Sequence, residues 1–113
     1  MVNSAILVGR LTRDPELQKS ANGTSYVRFT VAVNRQFNRD ETDFIGCVAF
    51  GNTADFIGNY LNKGSLVSVE GRIETGRYED NTGRMVYTTD IIANRVQSLE
   101  SRAQRVEREK MEQ

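Results

Sequence analysis

The chain has no histidine and no tryptophan, and only one cysteine, Cys47, and one proline, Pro15. Without histidine there is no Ser-His-Asp or Cys-His arrangement, and one cysteine cannot build a thiolate cluster. His-based catalysis and structural zinc therefore drop out. A lone cysteine also precludes an intrachain disulfide and suits a reducing compartment. No apolar run approaches the roughly 20 residues that cross a bilayer as a helix. Residues 1–5 carry no basic segment ahead of an apolar stretch, so export by signal peptide is not expected. Neither charge is in excess, since 15 Lys and Arg balance 15 Asp and Glu. A binder of polyanions with this balance would have to gather its positive charge on one face or loop set. What remains is 113 residues, 38% hydrophobic and 27% charged. That is one domain, burying roughly two-thirds of its unfolded surface and leaving little room for a large enclosed active site. The carboxylates of Asp14-Pro15-Glu16 and Asp40-Glu41-Thr42-Asp43 lie in loops without a base or nucleophile. No catalytic residue, metal site or cofactor is assigned.

What is present is mostly strand pattern. Residues 4–11 (SAILVGRL) are short and apolar, and the interior Gly9 marks a bulge or sharp bend. Residues 12–24 are polar and turn-rich, punctuated by Asp14-Pro15 and Asn22-Gly23. Over 26–35 (YVRFTVAVNR), Val27, Phe29, Val31 and Val33 alternate with Arg28, Thr30 and Asn34, which predicts a half-buried strand. A polar loop, 36–42, leads to a third strand over 43–50. Gly51-Asn52 then opens a helix, with Asn52 as N-cap, Asp55 in the first turn, Ala54, Ile57 and Leu61 on one face and Gly64 as the stop. A long strand over 66–78, a hairpin tip at 79–83 and a fifth strand over 85–93 follow. Residues 98–113 become strongly charged. Leu99, Ala103 and Val106 at i, i+4, i+7 allow a helix there, with disorder as the alternative.

Three strands, a helix and two strands is the order of an OB-fold. The expected architecture is all-β, a five-stranded Greek-key barrel over residues 1–99 with one helix between strands 3 and 4, followed by a charged tail over 100–113. Such barrels bind oligonucleotides or oligosaccharides on a sheet face and its loops. Phe29 and Phe56 read as structural. Phe37 lies in a polar loop between Arg35 and Arg39, and Tyr78 sits between Arg77 and Glu79 near the hairpin tip. Each either caps a barrel end or offers a face on which a base stacks. Phe44 and Phe50 share parity on the third strand, and pattern alone places them in the core. Arg10, Arg28, Arg35, Arg39, Lys63, Arg72, Arg77 and Arg84 fall on the strands and loops of the barrel. Singly they read as solubilising surface charge; interleaved with aromatics around 35–44 and 77–84, they suit a groove that tracks phosphates. Cys47 reads as a small buried hydrophobe.

Four segments carry a resemblance: ILVGRLTRDPEL (6–17), NGTSYVRFTVAVNR (22–35), YLNKGSLVSVEGRI (60–73) and YEDNTGRMVYTTDI (78–91). In this order and spacing the chain closely resembles the bacterial single-stranded DNA-binding proteins over residues 1–99, particularly those of low-GC Gram-positive bacteria and their phages. The resemblance implies an OB-fold that assembles as a homotetramer through first-strand pairing and sheet packing, and that wraps single-stranded DNA with little sequence preference. It implies no catalysis and a cytoplasmic, nucleoid-associated setting in replication, recombination and repair, or in natural transformation. It assigns stacking to Phe37, Phe44, Phe50 and Tyr78. Phosphate contacts fall on Arg28, Lys63 and Arg77, with Arg10, Arg72 and Arg84 as additions.

Three departures stand out. Relatives often carry tryptophan at three of the stacking positions, where this chain has Phe or Tyr. Glu74 and Gly76 stand where some relatives place arginines. The acidic tip ending in Pro-Phe, which recruits replication and repair proteins in the family, is not among these residues, so partner recruitment is not carried over. The alternative reading is an OB-fold interaction module of the replication or restart machinery with weak DNA binding. A cold-shock type of RNA binder would want clustered aromatics on adjacent strands, which are not written here.

Overall fold

Alternation along the strands becomes the inside and outside of a barrel. The structure is a computed structural model that describes residues 1–38 and 40–111. Its elements run β1 (Ala5–Leu11), β2 (Gln18–Lys19), β3 (Ser25–Asn34), β4 (Thr42–Phe50), α1 (Gly51–Tyr60), β5 (Leu66–Glu79), β6 (Met85–Ser98) and α2 (Arg102–Met111). The sheet order is β1-β5-β6-β4-β3-β2, and an additional β1–β3 pairing closes the five long strands into a ring. β4 runs parallel to β6 while the other pairs are antiparallel. This is the OB-fold. The short β2, within the stretch read as turns, adds a strip to the edge of β3 and moves the helix to between β4 and β5 in the full count.

Val27, Phe29 and Val31 of β3, Cys47 and Ala49 of β4, Val67 and Val69 of β5 and Ile91 and Ala93 of β6 fill the interior. α1 lies against β3, β4 and β6 and inserts Ala54 and Ile57, with Leu61 just beyond it. Ten residues are too few to hold a helix in water, so this apolar face is what keeps α1 helical.

Closure requires β1 to pair on both sides. Gly9 faces Val67 of β5, and the next two residues, Arg10 and Leu11, pair with Ala32 and Val31 of β3. A Cβ at Gly9 would stand 2.3 Å from the Ala32 carbonyl oxygen. On β5, register shifts between Glu70 and Gly71, where a Cβ would stand 2.0 Å from the Ile92 carbonyl oxygen. The barrel turns its corners at these two glycines because only a residue without a side chain lets the backbones approach so closely.

The ends of α1 differ from expectation. Phe50 is the N-cap and makes no side-chain cap bond, and no acidic residue lies in the first turn. Asn52 is inside the helix and Asp55 beyond its first turn. The reason is Gly51, whose left-handed backbone (φ 62°) turns the chain straight out of β4 and leaves no polar residue to serve as cap. Leu61, extended and drawn into the core, ends the helix. Gly64 (φ 87°) instead shapes the following turn, where its N–H donates to the Leu11 carbonyl at 2.8 Å. The last strand also runs further than expected, to Ser98, because β5 pairs with it down to Val67.

The charged tail folds as α2. Ser101 and Gln104 cap it reciprocally: the Gln104 N–H donates to Ser101 Oγ (3.1 Å) and the Ser101 N–H to Gln104 Oε1 (2.9 Å). Ala103 and Val106 stay exposed, and the helix docks through its polar side. Arg108 donates to Glu100 (2.9 Å), the Lys63 carbonyl (2.6 Å) and Asn62 Oδ1 (2.9 Å), and Arg105 donates to the Tyr60 carbonyl (3.2 Å). The loop after α1 leaves carbonyls without strand or helix partners, and guanidinium forks fit them better than an apolar stripe would.

Replacing Gly9 by Ala is expected to destabilise the barrel by about 1–3 kcal/mol, the range for a methyl forced into a packed site, and urea unfolding checks it. The second expectation concerns Glu100. Burial pushes its pKa up, but the hydrogen bonds from Arg108 and the Leu66 N–H, with the charges of Arg108 and Arg10, outweigh this and hold it below the ordinary carboxylate range. A lowered folded value means stability that is full above the unfolded pKa of about 4.3 and is lost as pH falls through the folded one. α2 should therefore undock in acid, and Arg108→Ala should undock it at neutral pH. Amide exchange along α2 reads both, and unchanged protection in Arg108→Ala would mean that something else holds the helix.

Candidate nucleic-acid interface

Residues paired across a sheet project to the same side. On β3 and β4 the core takes Val27, Phe29 and Val31 with Ala49, Cys47 and Ile45. The outer side therefore takes Tyr26, Arg28, Thr30 and Ala32 with Phe50, Val48, Gly46 and Phe44. Val48 continues this side onto Ile92 of β6, and from there the β5–β6 pairs Arg72–Ile92, Glu74–Asp90, Gly76–Thr88 and Tyr78–Val86 carry it out along the hairpin. Phe44, Phe50 and Tyr78 thus lie on one continuous outer side.

These rings are open. Phe44 is 69%, Phe50 52% and Tyr78 56% exposed, and Phe37, in the β3–β4 loop, is 95% exposed. Among the described residues the one ring–ring contact is Phe56 with Tyr60, so all four candidate rings keep free faces. The core placement that pattern alone gave Phe44 and Phe50 is corrected. Both faces of DFIGCVAF are apolar, and the smaller set, Ile45, Cys47 and Ala49, is the one that fits the narrow barrel.

The candidate cations divide by partner. Arg10 donates to the Gly64 carbonyl (2.9 Å) and lies 3.6 Å from Glu100. Arg35 is held by Asp43 (3.1 Å) and Glu41 (2.5 Å), and Arg72 by Glu74 (2.6 Å). The side chains of Arg28, Lys63, Arg77 and Arg84 have no hydrogen bond or ion pair among the described residues. Arg39 lies outside the described residues. A guanidinium already facing a carboxylate has part of its charge answered, so the four unpaired cations are the ones most available to an anion.

The hairpin tip presents Tyr78 and Arg84 on an ordered turn. Asp80 Oδ1 accepts from the Thr82 hydroxyl (2.7 Å), the Thr82 N–H (2.9 Å) and the Arg84 N–H (3.0 Å). The Thr82 hydroxyl, followed by the backbone N–H groups, holds the Asp80 pKa below its usual value.

Two exposed residues were missed. Tyr87, 75% exposed, pairs with Arg77 on the side of the hairpin opposite Tyr78. Hairpin register counted back from the 80–84 turn would have found it. Arg13, just past β1, borders a depression with Arg28, and its approach to β3 had no signal in the local sequence.

The chain matches the Single-strand binding protein family over residues 2–99. It belongs to that family. Among its relatives is the Single-stranded DNA-binding protein of Halalkalibacterium halodurans, 50% identical over 106 residues, an alignment covering 90% of this chain and 63% of the relative. Another is the protein of that name from Clostridium perfringens, 48% identical over 101 residues, covering 88% and 67%. A third is Single-stranded DNA-binding protein 1 of Staphylococcus aureus, 47% identical over 104 residues, covering 88% and 62%. This family member thus spans about two thirds of the length of the curated relatives it matches. Among its described residues no group of three or more Cys, Asp and Glu comes together to hold a metal, and no helix is long and apolar enough to cross a membrane.

Cys47, on the core side of β4, is 2% exposed, and burial, aided by the charge of Asp90, pushes its pKa up to about 12. At mildly alkaline pH the folded protein should therefore react with a thiol reagent orders of magnitude more slowly than the unfolded chain. A stopped reaction with a chromogenic disulfide, with and without denaturant, checks this.

Proposed function

We propose that this member of the single-strand binding protein family binds single-stranded DNA, without catalysis and largely without regard to sequence. One observation carries the reading: exposed, unstacked aromatic rings stand on the outer side of a closed barrel beside the unpaired Arg28, and the unpaired Arg77 and Arg84 belong to the hairpin that bears Tyr78. Phe37, Phe44, Phe50 and Tyr78 stack on bases, each of which offers a π-face whatever its identity. Arg28, Lys63, Arg77 and Arg84 follow the phosphates. Arg10, Arg35 and Arg72 contribute less, since a phosphate must compete with the carboxylates they already face. The relatives' shared name supports DNA as the ligand.

Assembly as a homotetramer belongs to the same proposal. Ile6 and Val8 on β1 are 67% and 51% exposed, and neighbouring apolar side chains pointing outward on a strand suit pairing between copies. The in-cell role proposed is to protect and organise single strands in the cytoplasm during replication, recombination and repair. The neutral net charge and the three arginines tied to carboxylates favour the second reading, an interaction module with weak DNA binding.

Tyrosine fluorescence during titration with oligo-dT and with duplex of equal length separates the two. Tight, single-strand-selective quenching that salt weakens supports DNA binding, whereas weak or duplex-equal binding supports the interaction module. Within the first outcome, Phe44→Ala or Tyr78→Ala should weaken binding by about 1–3 kcal/mol. Arg77→Ala should flatten the salt dependence by about 0.7 in slope, one phosphate's worth, and Arg35→Ala by less. Equal slopes for parent and Arg77→Ala would remove that residue from the phosphate path.

A further inference from the structure

On the outer side of the barrel, around Gly46 of β4, lies a depression of about 190 Å³ whose lining includes Arg13, Arg28, Thr30, Gly46 and Asp90. We propose that it is a seat for one nucleotide that selects bases carrying an exocyclic amino group, with the phosphate over Arg13 and Arg28 and the amino group donated to Asp90. The proposal rests on the single-strand binding reading above and adds a base preference to it.

Gly46 makes the seat. It pairs with Thr30 and lies two residues from Phe44 on the same side, roughly 7 Å along the strand. A Cβ there would stand 2.9 Å from Asp90 Oδ1, so glycine is what leaves the carboxylate open to the outer surface. Asp90 is half-buried, and its carboxylate makes no hydrogen bond or ion pair among the described residues. Arg13 and Arg28 border the same depression yet pair neither with it nor with any other carboxylate among those residues. Cations and an anion kept apart in one small hollow match a ligand that is itself negative at one end and rich in N–H donors at the other.

A nucleotide has that polarity. A carboxylate is a poor neighbour for phosphate but a good acceptor for the amino groups of cytosine, adenine and guanine, whose pairing edges are free in a single strand. Thymine presents one N–H flanked by two carbonyl oxygens, which the carboxylate repels. A base resting on Phe44 is within reach of the hollow, so stacking and edge contact act on the same nucleotide.

The test compares affinities for oligo-dC and oligo-dT of equal length at mildly alkaline pH, in the parent, Asp90→Asn and Gly46→Ala, with thermal melting to confirm that each is folded. Asn is isosteric with Asp and serves either base, and Ala at 46 sets a methyl against the Asp90 carboxylate, narrowing the hollow while keeping its charge. The dC-over-dT preference should fall about three- to tenfold in both variants, the weight of one directed hydrogen bond. An unchanged ratio overturns the seat, as does an equal gain for both oligomers in Asp90→Asn, which would make Asp90 only a repeller of phosphate. Failure of the parent to bind oligo-dT overturns the single-strand binding reading itself, and the seat with it.

Discussion

Everything in this molecule hangs on β1 pairing with two strands at once. A sheet of this size left open would expose two edges of unsatisfied backbone groups. Joining β1 to β5 along Ala5–Arg10 and to β3 at Arg10 and Leu11 closes the ring and fixes which side of each strand is inside. The junction tolerates no side chain at Gly9, and the matching bend on β5 tolerates none at Gly71. Once the ring is closed, the interior is narrow, and valine, cysteine, alanine and isoleucine fill it with few larger groups.

A narrow interior has a consequence for the outside. The aromatic rings of β4 do not fit within, so they stand on the outer side, and the register between strands aligns them with Tyr78 on the hairpin. Burial of small residues and display of large ones are two sides of one packing constraint. Three of the four candidate rings, Phe44, Phe50 and Tyr78, stand on strands, where they are held more firmly than a ring on a loop.

Charge is arranged by the same economy of position. Equal numbers of acids and bases do not make a neutral surface, because several carboxylates face arginines at fixed places: Asp43 and Glu41 at Arg35, Glu74 at Arg72, Glu100 at Arg108. What is left over sets the local field, and Arg28, Lys63, Arg77 and Arg84 are left over. α2 contributes by drawing Glu100 and the Lys63 carbonyl into a polar hub around Arg108.

The sequence by itself determined the order of the five long strands and α1, the alternation of β3, the small residue needed at Gly9 and the apolar face of α1, because these depend on periodicity and on local chemistry. It also named the four aromatic positions through their likeness to a family. It did not determine the parity of β4, whose two faces are equally apolar, nor the caps of α1, where a positive φ at Gly51 replaced a polar cap. The S-x-x-Q pattern at Ser101 marks the start of α2, whereas the apolar stripe of Ala103 and Val106 faces solvent. Only the tertiary structure decided which arginines meet carboxylates, that Arg13 joins Arg28, and that Gly46 uncovers Asp90. Those relations join residues distant in the chain, and distance in space is set by strand register and closure, which no local pattern encodes.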